Sequence, residues 1–257
     1  MLPASMKARV FGGKLLIFCF CLTAAGARAQ VPGGSGPAGM SSALSKLFGK
    51  NSAFSARGEM QVTDNSKREV SFWPMDFSLL NKKIRVEIDL AQTRNKGVPA
   101  QMGAMLKQMG MSQVVSIIRP DKGLVYVIYP DQRALFSMPL PKEDSEGSEK
   151  TPKIVKTPLG QETIDGHPCT KNKVVLTDSA GRSTEATTWE ASDLQGLPVQ
   201  IQTQEAETTS VIRFKQIQFS PPPADSFEPP SGFTKYDSAD DLRLSVMKKT
   251  VDAANKK

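Results

Sequence analysis

Over most of its length the chain alternates apolar and polar residues with a period of two. In "KKIRVEIDL" (82–90), Ile84, Val86 and Ile88 are apolar and their neighbours are charged. This period places apolar side chains on one face of a strand and charged ones on the other, as in an antiparallel sheet with one buried face. Similar strand patterns occur at 54–63, 69–80, 113–119, 123–130, 182–193, 197–205 and 209–219. We therefore predict eight or nine antiparallel strands, with Pro74 interrupting the second.

One segment between these strands has helical spacing instead. From Val98 to Met111, apolar residues recur at i, i+3, i+4 and i+7, namely Met102, Met105, Leu106 and Met109. Pro99 suits the first turn of a helix, and Gly110 suits its exit. The pattern predicts an inserted helix that covers the apolar face of the sheet.

The methionines of this helix have three interpretations. Methionine fills irregular gaps in a core and also makes adaptable contacts with alkyl chains. Its thioether is also a soft ligand for copper(I), and Met102, Met105 and Met109, with Met111 nearby, supply several. We assign no metal in the main interpretation and keep copper(I) as an alternative. The candidate residues of an apolar cavity are Met102, Met105, Leu106, Met109, Trp73, Phe77 and Trp189.

The first residues of the chain predict export. Lys7, Arg9 and Lys14 precede the apolar run "LLIFCFCLTAA" (15–25), and "ARA" (27–29) has the small-x-small pattern of a cleavage site between Ala29 and Gln30. The run is shorter than the roughly 18–20 residues of a membrane anchor. We expect a periplasmic or secreted protein without a transmembrane anchor.

The remaining chain divides into a tether, one domain and a tail. Residues 30–52 begin rich in Gly, Pro and Ser and end in a short helical pattern, 53–236 hold the strands, and 237–257 form a tail helix. Segment 138–158 is charged and is predicted to be an exposed loop. Cleavage after residue 29 lowers the formal charge from +7 to +3 and leaves no clustered basic face, which argues against nucleic-acid binding.

The sequence gives little support for catalysis. Cys169 is the one cysteine outside the predicted signal peptide, and His167 is the one histidine, two residues away beside the tight turn Asp165-Gly166. A thiol enzyme needs an activated thiolate and an orienting third group, and zinc needs three or four ligands. No phosphate loop, nucleophile elbow or dinucleotide fingerprint is present. We expect a non-enzymatic protein without a cofactor.

Several motifs resemble a family of exported bacterial domains within the lipoprotein-carrier, LolA/LolB-like, superfamily. They are "ETIDGHPCTKNKVVLTD" (162–178), "TTWEASDLQGLPVQIQ" (187–202), "SFEPPSGFTKY" (226–236) and "GLVYVIYPDQRAL" (123–135). The resemblance covers roughly 54–236. It implies a curved antiparallel half-barrel, mainly β in class, whose concave apolar face is partly covered by helices.

The resemblance also implies a function, because relatives carry acyl chains of lipids or lipoproteins across an aqueous compartment. We expect a monomer that binds a lipid, acyl chain or lipoprotein in a concave apolar cavity. The alternatives are a structural or interaction module with a solid core, and copper(I) binding through the methionine-rich helix. No ligand-gripping residue of the carriers matches a position in this chain.

Overall fold

The computed structural model describes residues 47–99, 101–140, 145, 153–177, 181 and 183–255. The predicted signal peptide, with Ala29 and Gln30, and most of the predicted tether lie outside these residues. The strands are β1 (Ala53–Asp64), β2 (Glu69–Leu80), β3 (Lys83–Asp89), β4 (Arg94–Asn95), β5 (Gln113–Arg119), β6 (Leu124–Tyr129), β7 (Ala134–Pro139), β8 (Lys153–Ile164), β9 (His167–Thr177), β10 (Ser183–Ala191), β11 (Leu197–Gln204), β12 (Thr208–Gln218) and β13 (Thr234–Tyr236). Helix α1 spans Gln101–Gln108, and helix α2 spans Ala239–Ala254.

The strands form one open, curved sheet. Their order is β13-β7-β6-β5-β3-β2-β1-β12-β11-β10-β9-β8, with β4 paired to the start of β2. Neighbouring strands are antiparallel throughout, except that β13 runs parallel to β7. The sheet remains open, with β13 at one edge and β8 at the other. The prediction of a mainly β protein built on a curved antiparallel sheet is confirmed.

Strand β2 continues through Pro74, contrary to the predicted interruption. On one side Pro74 lies opposite Glu59 of β1. On the other side β2 pairs with β4 at residues 71–72 and with β3 at residues 76–80, so Pro74 falls between the two partners. Proline lacks the backbone N–H that a second neighbour would require. The gap between the partners therefore accommodates it without breaking the strand.

Residues 153–158, at the end of the predicted loop 138–158, belong to a strand, and residues 138–139 at its start belong to β7. Strand β8 begins at Lys153 and is exposed along nearly its whole length, because it is the edge strand and pairs only with β9. Its sequence, which includes lysines and Pro158, does not alternate apolar and polar residues. A strand that buries neither face lacks the period-two signal, which explains the incorrect prediction for 153–158.

The largest apolar cluster lies on one face of the sheet, here called the inner face, which is the face that carries Phe54, Phe77 and Phe214. Phe48, which lies outside the sheet, packs with these three rings. The centroids of the paired rings among the four residues are 5.1–6.3 Å apart. Tilted and edge-to-face ring pairs at such distances add stability beyond area burial. The middle of the inner face is therefore tightly packed.

Three segments contribute cover to the inner face. Leu47 and Phe48 precede β1, while Leu242 and Val246 of α2 join the same buried cluster. Helix α1 buries none of its own residues, but Met109 and Met111, just after it, pack against the edge of the cluster. The fully buried cover therefore comes from segments predicted to be a tether and a tail, while the inserted helix buries none of its own residues.

The opposite face, here called the outer face, is covered at one end by the strap, residues 219–233. Phe227 of the strap is buried against Val115 and Ile117 of β5. Arg119, whose side chain is 4% exposed, donates hydrogen bonds to the Phe227 carbonyl (3.1 Å) and to both carboxylate oxygens of Asp121 (2.8 and 2.6 Å), and pairs with Glu228. The buried guanidinium therefore fixes the strap to the sheet.

Candidate ligand-binding face

A row of half-buried apolar side chains crosses the inner face beside the phenylalanine cluster. Trp73 of β2 lies opposite Met60 of β1, and Met60 lies opposite Ile212 of β12. All three are partly exposed and pack against the main cluster. Residues directly opposite each other in an antiparallel pair have their Cβ atoms about 5 Å apart. The three side chains therefore form one continuous apolar surface, here called the apolar row.

A second row, further along the same strands, is mostly hydroxylic. Thr203, Ser210, Val62 and Ser71 lie opposite one another across β11, β12, β1 and β2. All four are half-buried. The inner face therefore changes from aromatic and aliphatic to hydroxyl-bearing over two residues of each strand. Such a gradient suits an amphiphile with an alkyl part and a polar end.

Phe48 closes the other side of the apolar row. Its ring is 1% exposed and lies 5.1, 5.5 and 5.7 Å from the ring centroids of Phe54, Phe77 and Phe214. The three partners are held in strands by ladder hydrogen bonds. Phe48 instead lies in a short turn, where Asn51 donates its backbone and side-chain N–H to the Phe48 carbonyl, each at 3.1 Å. Phe48 is therefore held by a turn and by ring packing rather than by the hydrogen bonds of the sheet.

The methionines of the predicted cavity are distributed between core and solvent. Met102 and Leu106 are half-buried and Met105 is 44% exposed, while Met109 and Met111 pack against the main cluster. The thioethers of α1 and its exit thus do not share one environment. The copper(I) alternative stays a prediction. Among the described residues, no group of three or more His, Cys, Asp or Glu side chains is placed to hold a metal ion.

Close packing fixes the position of α1. Gly103 approaches the 3₁₀ turn Leu90–Gln92 so closely that a Cβ there would lie 3.1 Å from Ala91 Cα and 3.2 Å from Ala91 O. At the exit, Gln132 Nε2 donates a hydrogen bond to the Met109 carbonyl. The helix is therefore held at both ends, against one turn of the sheet at 90–92 and another at 130–132.

Of the three aromatic candidates, two lie on the inner face. Trp73 belongs to the apolar row and Phe77 to the phenylalanine cluster. Trp189 lies on the outer face, in a separate cluster with Cys169 and Val199, so the structure does not bring it together with Trp73 and Phe77. Thr188, the preceding residue of β10, points to the inner face and lies opposite Ile201. Size and aromatic character had suggested Trp189, and the parity of the strand excludes it.

Trp189 instead anchors a polar cluster at the sheet edge. Its indole Nε1 donates to Glu162 Oε2 at 2.7 Å, and Lys171 Nζ lies 2.7 Å from Glu162 Oε1 and 5.0 Å from the indole ring. The hydrogen bonds from Lys171 and Trp189 lower the pKa of Glu162 below its ordinary value. These contacts link β8 to β9 and β10, and they give Trp189 a structural role at the edge of the sheet.

The geometry around His167 and Cys169 does not form a nucleophilic pair. His167 Nδ1 lies 2.7 Å from Asp193 Oδ2, and the Cys169 thiol donates to the His167 carbonyl at 3.3 Å. Cys169 is buried, and burial raises the pKa of its thiol. A thiol must lose its proton to act as a nucleophile. The thiol is thus engaged with a backbone carbonyl and the imidazole with a carboxylate.

A polar cavity of about 320 Å³ lies on the outer face beneath the strap. Serine hydroxyls, Gln218, and the Arg85–Glu87 ion pair line it together with Pro221–Pro223. Arg85 Nη1 donates to the Ser226 carbonyl at 2.9 Å, so the guanidinium is already engaged with the strap. Its lining is unsuited to an alkyl chain, which leaves the inner face as the candidate for an apolar ligand.

Several residues of the inner face were not among the predicted site residues. Met60, Ile212 and Phe48 are the main ones. The alternation in β1 and β12 places Met60 and Ile212 on an apolar face, but only the cross-strand register brings them beside Trp73. Phe48 falls in the short helical pattern at the end of segment 30–52, which gives no indication that its side chain contacts the sheet.

Comparison with known proteins gives similar folds at low sequence identity. No protein-family model and no curated protein sequence matches the chain. Among solved structures it is similar to a LolA superfamily protein from Nitrosomonas europaea (11% identity, TM-score 0.38, 71% of this chain and 93% of that one). It is also similar to the Mycobacterium tuberculosis lipoprotein LppX (14%, 0.37, 72% and 94%) and to LprF from Mycobacterium bovis (10%, 0.36, 73% and 96%).

All three TM-scores are below 0.5, so no ligand, partner or residue role is carried from these proteins to this chain. Within the described ranges, no helix is long and apolar enough to cross a membrane.

Proposed function

We propose that this protein is an exported, non-enzymatic binder of an acyl chain, held on the inner face of its sheet. The observation that carries the proposal is the half-buried apolar row, Trp73, Met60 and Ile212, which leads into the phenylalanine cluster. The acyl chain belongs to a lipid or a lipoprotein, and the protein acts as a monomer in the periplasm or outside the cell.

In this account Phe48 occupies the ligand's place in the empty protein. When the turn that carries Phe48 moves out, the rings of Phe54, Phe77 and Phe214 lose this cover. They then form an accessible apolar surface next to the apolar row. An alkyl chain then covers the surface that Phe48 had covered. Each buried methylene contributes roughly 0.8 kcal/mol, so a chain of several methylenes exceeds what one phenylalanine side chain supplies.

The hydroxylic row accommodates the polar end of the ligand. Ser210 and Thr203 lie beside Val62, one step beyond the apolar row. Hydroxyl groups both donate and accept hydrogen bonds, so they can pair with a carboxyl, ester or amide group. The alkyl part therefore points toward the phenylalanine cluster and the polar end toward the hydroxyls.

Titration with a fluorescent fatty acid tests the proposal. Ile212 and Val211 are adjacent on β12, are both half-buried and face opposite sides of the sheet. We expect Ile212→Asp to weaken probe binding at least about tenfold, because a carboxylate on the apolar row disfavours an alkyl chain by well over 1.4 kcal/mol. The matched control, Val211→Asp, leaves affinity unchanged. Equal affinities in the two variants, or no saturable binding by the wild type, would reject the proposal.

The competing function is an interaction module whose inner face is permanently filled. The near-complete burial of Phe48 favours it, since the cluster is well packed without a ligand. The same titration separates the two functions, because a solid module gives no saturable binding of the probe.

A further inference from the structure

The register of the apolar row leads to a group of polar side chains on the inner face. Beyond Ile212 the row continues to Ile201 of β11 and then to Thr188 of β10. Asn172 of β9 lies opposite Thr188, and Glu190 follows two residues after Thr188 on the same face. Neighbouring strands are about 4.8 Å apart, so Thr188 lies roughly 10 Å from Ile212 along the sheet. These polar groups are therefore within the length of one ligand from the apolar row.

The hydroxylic row leads to the same part of the sheet. From Thr203 it continues to Ala186 of β10 and Val174 of β9. Lys156 of β8 lies opposite Val174, and its ammonium reaches across β9 to pair with Glu190. The four polar residues, here called the polar cluster, are Lys156, Asn172, Thr188 and Glu190.

The polar cluster is built into the sheet. Thr188 is fully buried and Asn172 is 6% exposed, while the side chains of Glu190 and Lys156 are 18% and 37% exposed. The Thr188 hydroxyl donates to Glu190 Oε1 at 3.2 Å, and Lys156 Nζ donates to the same oxygen. The cluster thus holds one negative and one positive charge. Glu190 is its better-ordered member, because Lys156 has a long flexible stem.

Several hydrogen-bonding groups of the polar cluster have no partner among the residues that the structure describes. Both hydrogen bonds that Glu190 accepts go to Oε1, which leaves Oε2 unpaired. Asn172 makes one long hydrogen bond, from Nδ2 to the Thr170 carbonyl at 3.4 Å, so its Oδ1 is also unpaired. Lys156 uses one of its three N–H groups. Polar atoms of nearly buried side chains normally have partners, and here a ligand would supply them.

We propose, on the basis of the acyl site proposed above, that the polar cluster binds a zwitterionic head of the acyl ligand. The ammonium of this head donates to Glu190 Oε2 and Asn172 Oδ1, and its phosphate or carboxylate accepts from Lys156. A head with negative charge alone would be repelled by Glu190, whereas a zwitterion pairs with both charges. The cluster therefore favours amine-bearing lipids over fatty acids and anionic lipids.

Displacement of a fluorescent fatty acid by four competitors with the same acyl chain tests this inference. Two competitors are zwitterionic, lysophosphatidylethanolamine with a phosphate and Nε-acyl-lysine with a carboxylate. The other two are anionic, lysophosphatidylglycerol and the unlabelled fatty acid. We expect at least one zwitterion to bind about tenfold tighter than both anionic competitors. The zwitterion that binds more tightly identifies the anionic group of the head.

Two variants connect this preference to the polar cluster. Glu190→Gln weakens the preferred zwitterion about tenfold and leaves lysophosphatidylglycerol unweakened, since the repelling carboxylate is gone. Asn172→Leu removes Oδ1 and also weakens the zwitterion selectively. The matched control is Glu185→Gln, because Glu185 lies on the outer face of the same strand and pairs with Lys173 at 2.9 Å. This control keeps the preference of the wild type.

Three results would overturn the inference. They are equal displacement by all four competitors, a zwitterion preference that survives in Glu190→Gln, and a loss in Glu190→Gln that is the same for every competitor. The last result would show that the ion pair with Lys156 serves only to join strands. Saturable binding of the fluorescent fatty acid without selectivity among heads would leave the proposed function intact, whereas absence of saturable binding would reject both.

Discussion

At the scale of single residues, Arg119 shows how a buried charge can organise a segment without regular structure. Its guanidinium has partners in the turn after β5 and in the strap, and its hydrogen bonds to the Asp121 carboxylate raise its pKa further above the ordinary value. Arginine suits this role because its planar fork satisfies several acceptors at once. The sequence alone gives no signal for it, because Asp121 is local but Phe227 and Glu228 lie more than a hundred residues away.

We predict that Arg119→Met destabilises the protein by about 2 to 4 kcal/mol, because the Phe227 carbonyl and two carboxylates lose their donor. Urea unfolding followed by tryptophan fluorescence measures the change. The control is Lys122→Met, which removes an exposed partner of Glu228 at 2.8 Å and costs less than about 1 kcal/mol. Equal losses in the two variants would contradict the assigned role of Arg119.

The same contacts predict a dependence of stability on pH. Arg119 lowers the pKa of Asp121, and Lys122 together with Arg119 lowers the pKa of Glu228. A carboxylate whose pKa is depressed by folding stabilises the fold fully above its unfolded-state pKa, about 4, and loses that contribution as the pH falls through the folded-state pKa. Below about pH 4 we expect the free energy of unfolding to fall more steeply for wild type than for Arg119→Met. Parallel curves in urea titrations across this range would contradict the coupling.

At the scale of elements, alternation predicted the strands that bury one face and missed residues 153–158, the first half of the strand that buries none. Strand β3 buries Ile84, Val86 and Ile88, as its pattern indicated. Strand β8 has no buried side, and β2 continues past Pro74 because of a gap between its partners. Such features depend on neighbouring strands, which a local pattern does not describe.

The predicted methionine helix is present as α1, but the residues that follow it, rather than its own, contact the core. Its apolar residues follow the expected spacing, yet Met105 is exposed and Met109 and Met111 make the core contacts. The position of α1 is set by Gly103, which allows the close approach to Ala91. Spacing predicted the existence of the helix and could not reveal this contact.

We predict that Gly103→Leu loosens α1 without unfolding the sheet. A side chain at this position collides with the backbone of Ala91, so the helix must move away from the turn at 90–92. Hydrogen exchange measured by mass spectrometry then shows faster exchange of amides 101–109, with β1 and β12 unchanged. Ala104→Leu, at an exposed neighbouring position, serves as the control. Unchanged exchange in Gly103→Leu would show that the close contact does not hold the helix.

At the scale of the whole molecule, one face of the sheet serves packing and is the proposed ligand site. The sheet's middle is filled by four phenylalanines, while its apolar row remains half-exposed beside them. Strand patterns predicted a dry inner face. They could not predict its cover, because Phe48 comes from the short helical pattern before β1 and reaches the core only through tertiary contact.

We predict that Phe48→Ala lowers stability and tightens acyl binding together. Truncating a buried phenylalanine costs about 3 to 5 kcal/mol. Removing the Phe48 ring also removes the free-energy cost of displacing that ring from the ligand's place, so the apparent dissociation constant for a fluorescent fatty acid decreases. Phe227→Ala is the matched control, since Phe227 is equally buried on the outer face and its loss destabilises without affecting the probe. Tighter binding in both variants, or in neither, would contradict the proposal that Phe48 occupies the ligand's place in the empty protein.

Photo-crosslinking with a diazirine-labelled fatty acid tests the central claim most directly. After irradiation, mass spectrometry of the digested protein identifies the labelled residues. The account predicts labels on β1, β2 and β12 at inner-face positions, above all Met60, Trp73 and Ile212, with competition by unlabelled fatty acid. Labels confined to the outer face or to α2, or labelling that excess fatty acid does not reduce, would contradict an acyl site on the inner face.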